Sequence, residues 1–106
     1  MPWVILFVAG LLEVVWALFL KQSEGFTKPG PTIGFLVALA LSMFLLSQAI
    51  KSLPVGTAYA VWTGIGAAGT AILGMIWLGE SREVLKLVSL AMLIAGIIGL
   101  RLTSTN

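Results

Sequence analysis

The sequence predicts an all-α integral membrane protein of four transmembrane helices. Hydrophobic residues make up 59% of the 106-residue chain and charged residues only 9%, and the apolar residues fall into four long runs separated by short polar turns. Each span must satisfy its own backbone hydrogen bonds in lipid, and four segments are too few to close a β-barrel. We therefore expect a single four-helix transmembrane domain over residues 1–106, as a multi-pass protein of the inner (plasma) membrane.

Turn residues delimit the four spans. The first covers residues 3–20, within the roughly 17 to 25 residues that cross a bilayer, and lacks the basic start and small-residue exit of a signal peptide. The second, 32–50, follows a connection rich in Gly and Pro. The third, 55–78, follows a tight turn whose Pro54 suits the first helical position. The fourth covers 84–102, where Lys86 and Arg101 can reach the two interfaces.

Residue types that the chain lacks exclude several classes of site. It has no cysteine and no histidine, which excludes disulfides, thiol nucleophiles, Cys/His metal sites and histidine proton shuttles. The net charge of +2 is dispersed in loops without a basic cluster, so nucleic acid is not an expected partner. One buried carboxylate offers no pair of nucleophile and base, so we expect no enzyme, no metal and no cofactor.

Glu13 is the most informative residue, because it stands near the middle of the otherwise apolar run from Trp3 to Leu20. Insertion scales assign a cost of about 2.5 to 3.5 kcal/mol to placing an acidic residue at the bilayer centre. Such a residue is therefore expected to have a function that offsets this cost. No other ionisable residue lies well inside a span. The alternative, a tolerated polar residue in a marginal helix, is less consistent with that isolation.

Helical spacing places candidate partners around Glu13. Gly10 and Trp16 share its face of the first helix, Tyr59, Trp62 and Thr63 share a stripe of the third, and Ser42 is the most central hydroxyl of the second. We expect the Tyr59 and Ser42 hydroxyls to donate to the carboxylate, and the Trp16 and Trp62 rings to face a cation. These types suit a carboxylate that alternates between a proton and an organic cation; the alternative for the aromatics is packing or the interface belt.

Two glycine patterns allow close helix packing. The run Gly64-Ile65-Gly66-Ala67-Ala68-Gly69 spells the dinucleotide fingerprint, but it lies inside a span and not between a strand and a helix, so we reject that interpretation. Its glycines indicate a soft point or a close contact. In the fourth helix, Ser89 and Gly96 lie seven residues apart on one face; packing within one subunit and association between subunits both remain open.

The loop charges are nearly balanced across the membrane. With four spans, both termini and the Lys51 turn share one side, which carries Lys51 and Arg101, while the other side carries Lys21, Lys28, Arg82 and Lys86. This is a weak positive-inside bias. Insertion in both orientations and insertion in one remain equally open.

Two motifs resemble the small multidrug resistance transporters. The pattern Gly10-x-x-Glu13-x-x-Trp16-Ala17, followed by Leu20-Lys21 and Gly25-Phe26-Thr27, looks like the family's first helix and loop. The run from Lys51 to Ala67, including Pro54, Tyr59-Ala60-Val61-Trp62 and Gly64-Ile65-Gly66, looks like the third helix of its guanidinium exporter subtype. The resemblance covers essentially the whole chain.

The resemblance implies an antiparallel, dual-topology homodimer that exchanges guanidinium for protons by alternating access. It implies that Glu13 binds both proton and substrate, and that the site is lined by Gly10, Trp16, Ser42, Tyr59, Trp62 and Thr63. It also implies a hinge at Gly64 and Gly66, and a dimer contact around Ser89, Leu93 and Gly96, although Ser89 stands where family members often have glycine. Trp16 favours the guanidinium subtype over the drug exporters, where we expect a smaller residue.

Three functions remain possible on the sequence. The first is proton-coupled export of guanidinium and small substituted guanidinium ions across the lipid bilayer. The second is export of bulky quaternary ammonium or aromatic cations, which need not donate hydrogen bonds. The third is a membrane interaction protein without transport activity, whose helices serve only assembly.

Overall fold

The structure, a computed structural model, describes residues 2–103 and consists there of four α-helices. They are α1 (Pro2–Gln22), α2 (Pro29–Ala49), α3 (Val55–Trp77) and α4 (Val84–Thr103). Each helix is long and apolar enough to cross a membrane. The all-α, four-span fold is therefore confirmed, and the helix ends lie within three residues of the expected ones.

The largest boundary difference is at the start of α2, which begins at Pro29 and not at Thr32. Pro29 occupies the first helical turn, where a missing backbone N–H removes no hydrogen bond. The Thr32 backbone N–H and hydroxyl both bond to the Lys28 carbonyl, at 3.2 and 2.7 Å. The prolines thus start the helix, although the sequence interpretation treated them as breakers.

The α1–α2 connection is a compact turn built around Ser23. This side chain is fully buried, donates to the Leu20 carbonyl at 2.7 Å and accepts from the Phe26 N–H at 3.2 Å. The chain reverses through Glu24, Gly25 and Phe26, all with positive φ. Because the buried Ser23 hydroxyl both donates and accepts a hydrogen bond, the turn holds the ends of α1 and α2 in a fixed relation.

The helix α1 is central to the packing and lies against both α2 and α3, whereas α2 and α3 touch each other little. The contacts depend on glycine: a β-carbon on Gly10 would fall 2.7 Å from Ile65, and one on Gly69 would fall 2.6 Å from Val14. Small residues at such points let helix backbones approach closely in lipid, where packing replaces the hydrophobic effect. Since Gly10 meets Ile65 and Val14 meets Gly69, α1 and α3 run parallel.

A core of buried apolar residues fills the end of the molecule where α1 begins. It joins the first half of α1, the last turns of α2 and the first turns of α3, with Trp3 and Ile5 packed against it. Its members are Leu6, Ala9, Leu46, Ala49, Leu53, Ala58, Val61 and Trp62. The site residues described below lie just beyond this core along α1 and α3.

The helix α4 stands at the edge of the molecule. It packs on α3, where Ile97 and Leu93 approach Gly64, and no residue of α4 is buried. The preceding turn is held to α3, because the Arg82 guanidinium donates to the Met75 carbonyl at 3.0 Å. An apolar helix with all its residues accessible presents most of its surface to lipid or to another chain.

Candidate functional site

Glu13 lies one residue past the middle of the 21-residue α1 and faces α3. Its carboxyl group packs directly against Gly66, in the space that a β-carbon at that position would occupy. The Glu13 residue is half-buried overall, and its Oε1 atom is buried. Gly66 therefore provides the space that the carboxylate occupies, a role that the glycine spacing alone did not indicate.

Three buried polar atoms in this region have no hydrogen-bond partner within the described residues. They are Oε1 of Glu13, Nε1 of Trp16 and Oγ1 of Thr63. Trp16 follows Glu13 by one turn of α1, and Thr63 precedes Gly66 by one turn of α3, so each lies about one helical turn from the contact between Glu13 and Gly66. Buried polar atoms are usually paired, and this group offers an acceptor, a donor and a hydroxyl that is both.

Ser42 was expected to donate a hydrogen bond to Glu13, but it bonds elsewhere. Its fully buried hydroxyl donates to the Ala9 carbonyl at 2.7 Å and accepts from Nε1 of Trp62 at 2.9 Å. The Ala9 carbonyl takes this bond because that backbone oxygen lies directly across the α1–α2 contact, one turn before Glu13. Ser42 thus links α1, α2 and α3 and fixes the Trp62 ring, a positioning role that sequence spacing could not show.

Tyr59 also differs from the expectation. It is 58% exposed, its ring centroid lies 5.7 Å from that of Trp62, and within the described residues its hydroxyl does not donate to Glu13. Trp62, by contrast, is 7% exposed, so little of the ring that was expected to face a cation is accessible in this subunit.

The other aromatic of the site, Trp16, is oriented by a residue that sequence reasoning missed. Phe35 of α2 packs edge-on against the Trp16 ring with centroids 5.7 Å apart. This T-shaped contact orients the indole on the side of α1 next to α2. No polar or glycine signal marks Phe35 in the sequence, because a phenylalanine within an apolar span resembles any other packing residue.

The predicted hinge glycines lie in an unbroken helix. The α3 helix is continuous from Val55 to Trp77, Gly64 contacts Ile97 of α4, and Gly66 contacts Glu13. The glycines therefore serve as close contacts in this conformation. Whether they also flex stays a prediction.

The predicted dimer-contact residues divide into two kinds. Ser89 is exposed with its hydroxyl bonded at 2.8 Å to the Leu85 carbonyl of its own helix, and Gly96 has open space where a β-carbon would be. Leu93 is directed partly towards Gly64 of the same subunit. Ser89 and Gly96 are thus accessible to a second chain, while Leu93 already takes part in the α3–α4 contact.

Comparison with known proteins gives a consistent result. The family model described as Small Multidrug Resistance protein matches residues 1–93. The guanidinium exporter of Yersinia pestis is 62% identical over 104 residues, covering 98% of this chain and all of that protein. The guanidinium exporters of Proteus vulgaris and Escherichia coli K12 are 60% and 57% identical over the same length, covering 98% of this chain and 100% and 99% of those proteins.

These relatives are exporters and not enzymes, and their family accords with a multi-pass protein of the inner membrane. The match extends through α1, α2, α3 and the first half of α4, so it includes Glu13 and the residues around it. The chain therefore belongs to the small multidrug resistance family.

Proposed function

We propose that this protein is a proton-coupled antiporter that exports guanidinium and small substituted guanidinium ions. Glu13 binds protons and substrate alternately. The observation that carries the proposal is the buried Glu13 oxygen without a hydrogen-bond partner in the described part of the chain, one turn from the unpartnered Trp16 N–H. Support for the substrate class comes from relatives up to 62% identical that are named guanidinium exporters.

The chemistry of the site suits a flat cation that donates hydrogen bonds. A guanidinium ion presents paired N–H groups, which a carboxylate accepts in a bidentate, charge-assisted geometry. The Trp16 ring supplies a π face, worth up to about 2 kcal/mol for a desolvated cation. The Thr63 hydroxyl, one turn of α3 before Gly66, is a further acceptor near this level of the helix, and Gly10 lets Ile65 of α3 pack closely against α1 one turn before Glu13.

Coupling follows from competition for one group. A charged carboxylate near the bilayer centre is costly, and either a proton or a guanidinium ion neutralises it. When each ligand excludes the other, Glu13 crosses between its inward- and outward-facing states only when occupied. Protons that move down their gradient then drive the cation outwards.

The proposal includes an antiparallel homodimer of oppositely inserted subunits. One subunit contributes one intramembrane carboxylate and has no inverted repeat, whereas two opposed copies produce the two-fold plan typical of transporters with a midplane site. The nearly balanced loop charges are compatible with insertion in both orientations. Accessible Ser89 and Gly96 on α4 supply the contact, and Gly64 and Gly66 supply the flexing point of α3.

Proteoliposomes with an imposed pH gradient test this function. We expect the wild-type protein to exchange guanidinium for protons, and Glu13→Gln to abolish the exchange while the protein stays folded. Glu24→Gln is the matched control, because Glu24 is an exposed loop carboxylate whose ion pair with Lys28 contributes about 1 kcal/mol or less. Exchange that survives Glu13→Gln contradicts the proposed proton competition.

The same assay separates the alternatives. A quaternary ammonium ion that drives proton flux as well as guanidinium does would indicate a multidrug exporter, because such an ion cannot donate hydrogen bonds to Glu13. Vesicles that show no substrate-dependent proton flux, with Glu13→Gln unchanged in every respect, would indicate an interaction protein without transport activity.

A further inference from the structure

An apolar groove lies between α4 and the pair formed by α1 and α3. Two cavities of about 220 and 320 Å³ share four lining residues and so form one continuous groove. The shared residues are Phe7, Ile65, Ile97 and Ile98. The groove exists because α4 packs on α3 alone and stands apart from α1 over most of its length.

One end of the groove carries a positive charge. Arg101, in the last turn of α4, lines this end together with Trp3 and Leu102, and its guanidinium carbon lies 5.0 Å from the centroid of the Trp3 ring. The opposite end is lined by Leu11, Gly69 and Ile94, near the level of Glu13. The groove thus runs from a membrane interface, where α1 begins, to the middle of the bilayer.

The length of the groove matches one lipid leaflet. From Trp3 to Leu11 it follows eight residues of α1, about 12 Å at 1.5 Å per residue. Half of a hydrocarbon core about 30 Å thick is about 15 Å. A single acyl chain from the adjacent leaflet therefore fits along it, with its headgroup at the level of Arg101.

The charges at this end favour an anionic headgroup. The chain has four acidic residues, Glu13, Glu24, Glu80 and Glu83. The last three lie in connections at the opposite membrane face, and Glu13 lies near the level of the far end of the groove without lining it. No acidic side chain among residues 2–103 therefore opposes Arg101 at the interface. The first turn of α1, which carries no acidic residue, adds the positive end of a helix dipole beside Trp3.

A second copy of the chain on the proposed dimer contact would leave the groove open. Ser89 and Ile98 are nine residues apart on α4, which at 3.6 residues per turn places them on opposite sides of the helix. Ile98 lines the groove, whereas Ser89 belongs to the proposed contact. On α4, the groove therefore lies on the side opposite the proposed dimer contact.

We propose that this groove is a binding site for one anionic phospholipid, with an acyl chain between α1, α3 and α4 and its phosphate on Arg101. Arg101 and the Trp3 ring select the headgroup, and the isoleucines of α4 pack against the acyl chain of the lipid. The bound lipid would fill the gap between α1 and α4 and brace the edge helix against the rest of the subunit.

Native mass spectrometry of the purified full-length protein with phosphatidylglycerol or phosphatidylcholine tests this site. We expect one tightly held phosphatidylglycerol per subunit, and we expect Arg101→Gln to lower its affinity about fivefold towards that of phosphatidylcholine. Lys51→Gln, which removes a charge at the same membrane face outside the groove, should retain the preference. Equal retention of both lipids, or a preference unchanged in Arg101→Gln, overturns the proposal.

The position of the acyl chain needs a second pair of variants. Ile98→Trp fills the groove and should expel the lipid, whereas Val88→Trp adds bulk at an exposed position of α4 outside both the groove and the Ser89–Gly96 face and should leave it bound. Because the chain has no cysteine, Ile98→Cys also reports on coverage by another subunit. Efficient disulfide cross-linking between two subunits that carry Ile98→Cys would place a second chain in the groove and contradict the lipid assignment.

Discussion

Gly66→Ala is the most direct test of the contact between α1 and α3 at the site. A β-carbon at this position would overlap Cδ and Oε1 of Glu13 and lie 2.7 Å from its Cγ, so the carboxylate must move. Overpacking of this kind costs about 1 to 3 kcal/mol, and the better helix propensity of alanine returns about 1 kcal/mol. The expected net loss of stability is therefore small.

The loss of substrate affinity should be larger. A displaced carboxylate cannot keep its hydrogen bonds to a bound guanidinium ion, and bonds to charged groups contribute about 1.5 to 3 kcal/mol each. The loss of one such bond should raise the dissociation constant for guanidinium about 10- to 150-fold, at about 1.4 kcal/mol per tenfold change. The change in binding thus exceeds the change in stability, which distinguishes a displaced ligand from general unfolding.

Titration of purified protein with guanidinium, followed by tryptophan fluorescence and paired with thermal unfolding, measures both quantities. Gly56→Ala is the matched control, because it makes the same change in the same helix where nothing lies within 4 Å of the new β-carbon. Glu13→Asp, whose carboxylate is one methylene shorter, should partly restore binding in the Gly66→Ala background. If Gly66→Ala binds guanidinium as tightly as Gly56→Ala, the contact does not set the position of the carboxylate.

Two further substitutions address the support of the site. Ser42→Ala should lower the free energy of unfolding by about 1 to 3 kcal/mol, because it leaves the buried Trp62 N–H unpaired. Adding Trp62→Phe should recover part of that loss, since removing both partners of a hydrogen bond is nearly neutral. Equal melting temperatures for Ser42→Ala and the wild type would refute this. Trp16→Gly should raise transport of quaternary ammonium ions relative to guanidinium, whereas Trp16→Phe should keep the narrow selectivity. If proteoliposomes with Trp16→Gly show the substrate profile of the wild type, Trp16 does not form a wall of the site.

The spans could be predicted from sequence because the membrane imposes strong constraints. A run of apolar residues long enough to cross the bilayer has few alternatives to a helix, and the ends of the four helices fall close to the expected positions. Glu13 stands out by the same reasoning, since an acidic residue in the middle of an apolar run is evident from the sequence alone. The membership in the family was also apparent from the motifs around Glu13 and Trp62.

The partners of individual side chains could not be predicted in this way. Helical spacing identifies the face on which Ser42 lies, but its hydrogen bond depends on the rotation and depth of α2 relative to α1, which brings the Ala9 carbonyl within 2.7 Å. The same relative positions decide that Gly66, and not a hydroxyl, lies against Glu13. Residue spacing within one helix contains no information about the register between helices.

The pairing of buried polar groups differs between the site and the rest of the described chain. The two buried serines, Ser23 and Ser42, each both donate and accept a hydrogen bond. The buried atoms without a partner belong to Glu13, Trp16 and Thr63, and the last two lie about one helical turn from the contact between Glu13 and Gly66. An unpaired buried group costs about 1 to 3 kcal/mol, so a ligand that pairs these atoms recovers that free energy on binding. A permanent partner for Glu13 would have to be displaced by every proton and every cation. In the exchange that we propose, the bond of Ser42 to Ala9 is favourable, because it leaves the Glu13 carboxylate open to both ligands.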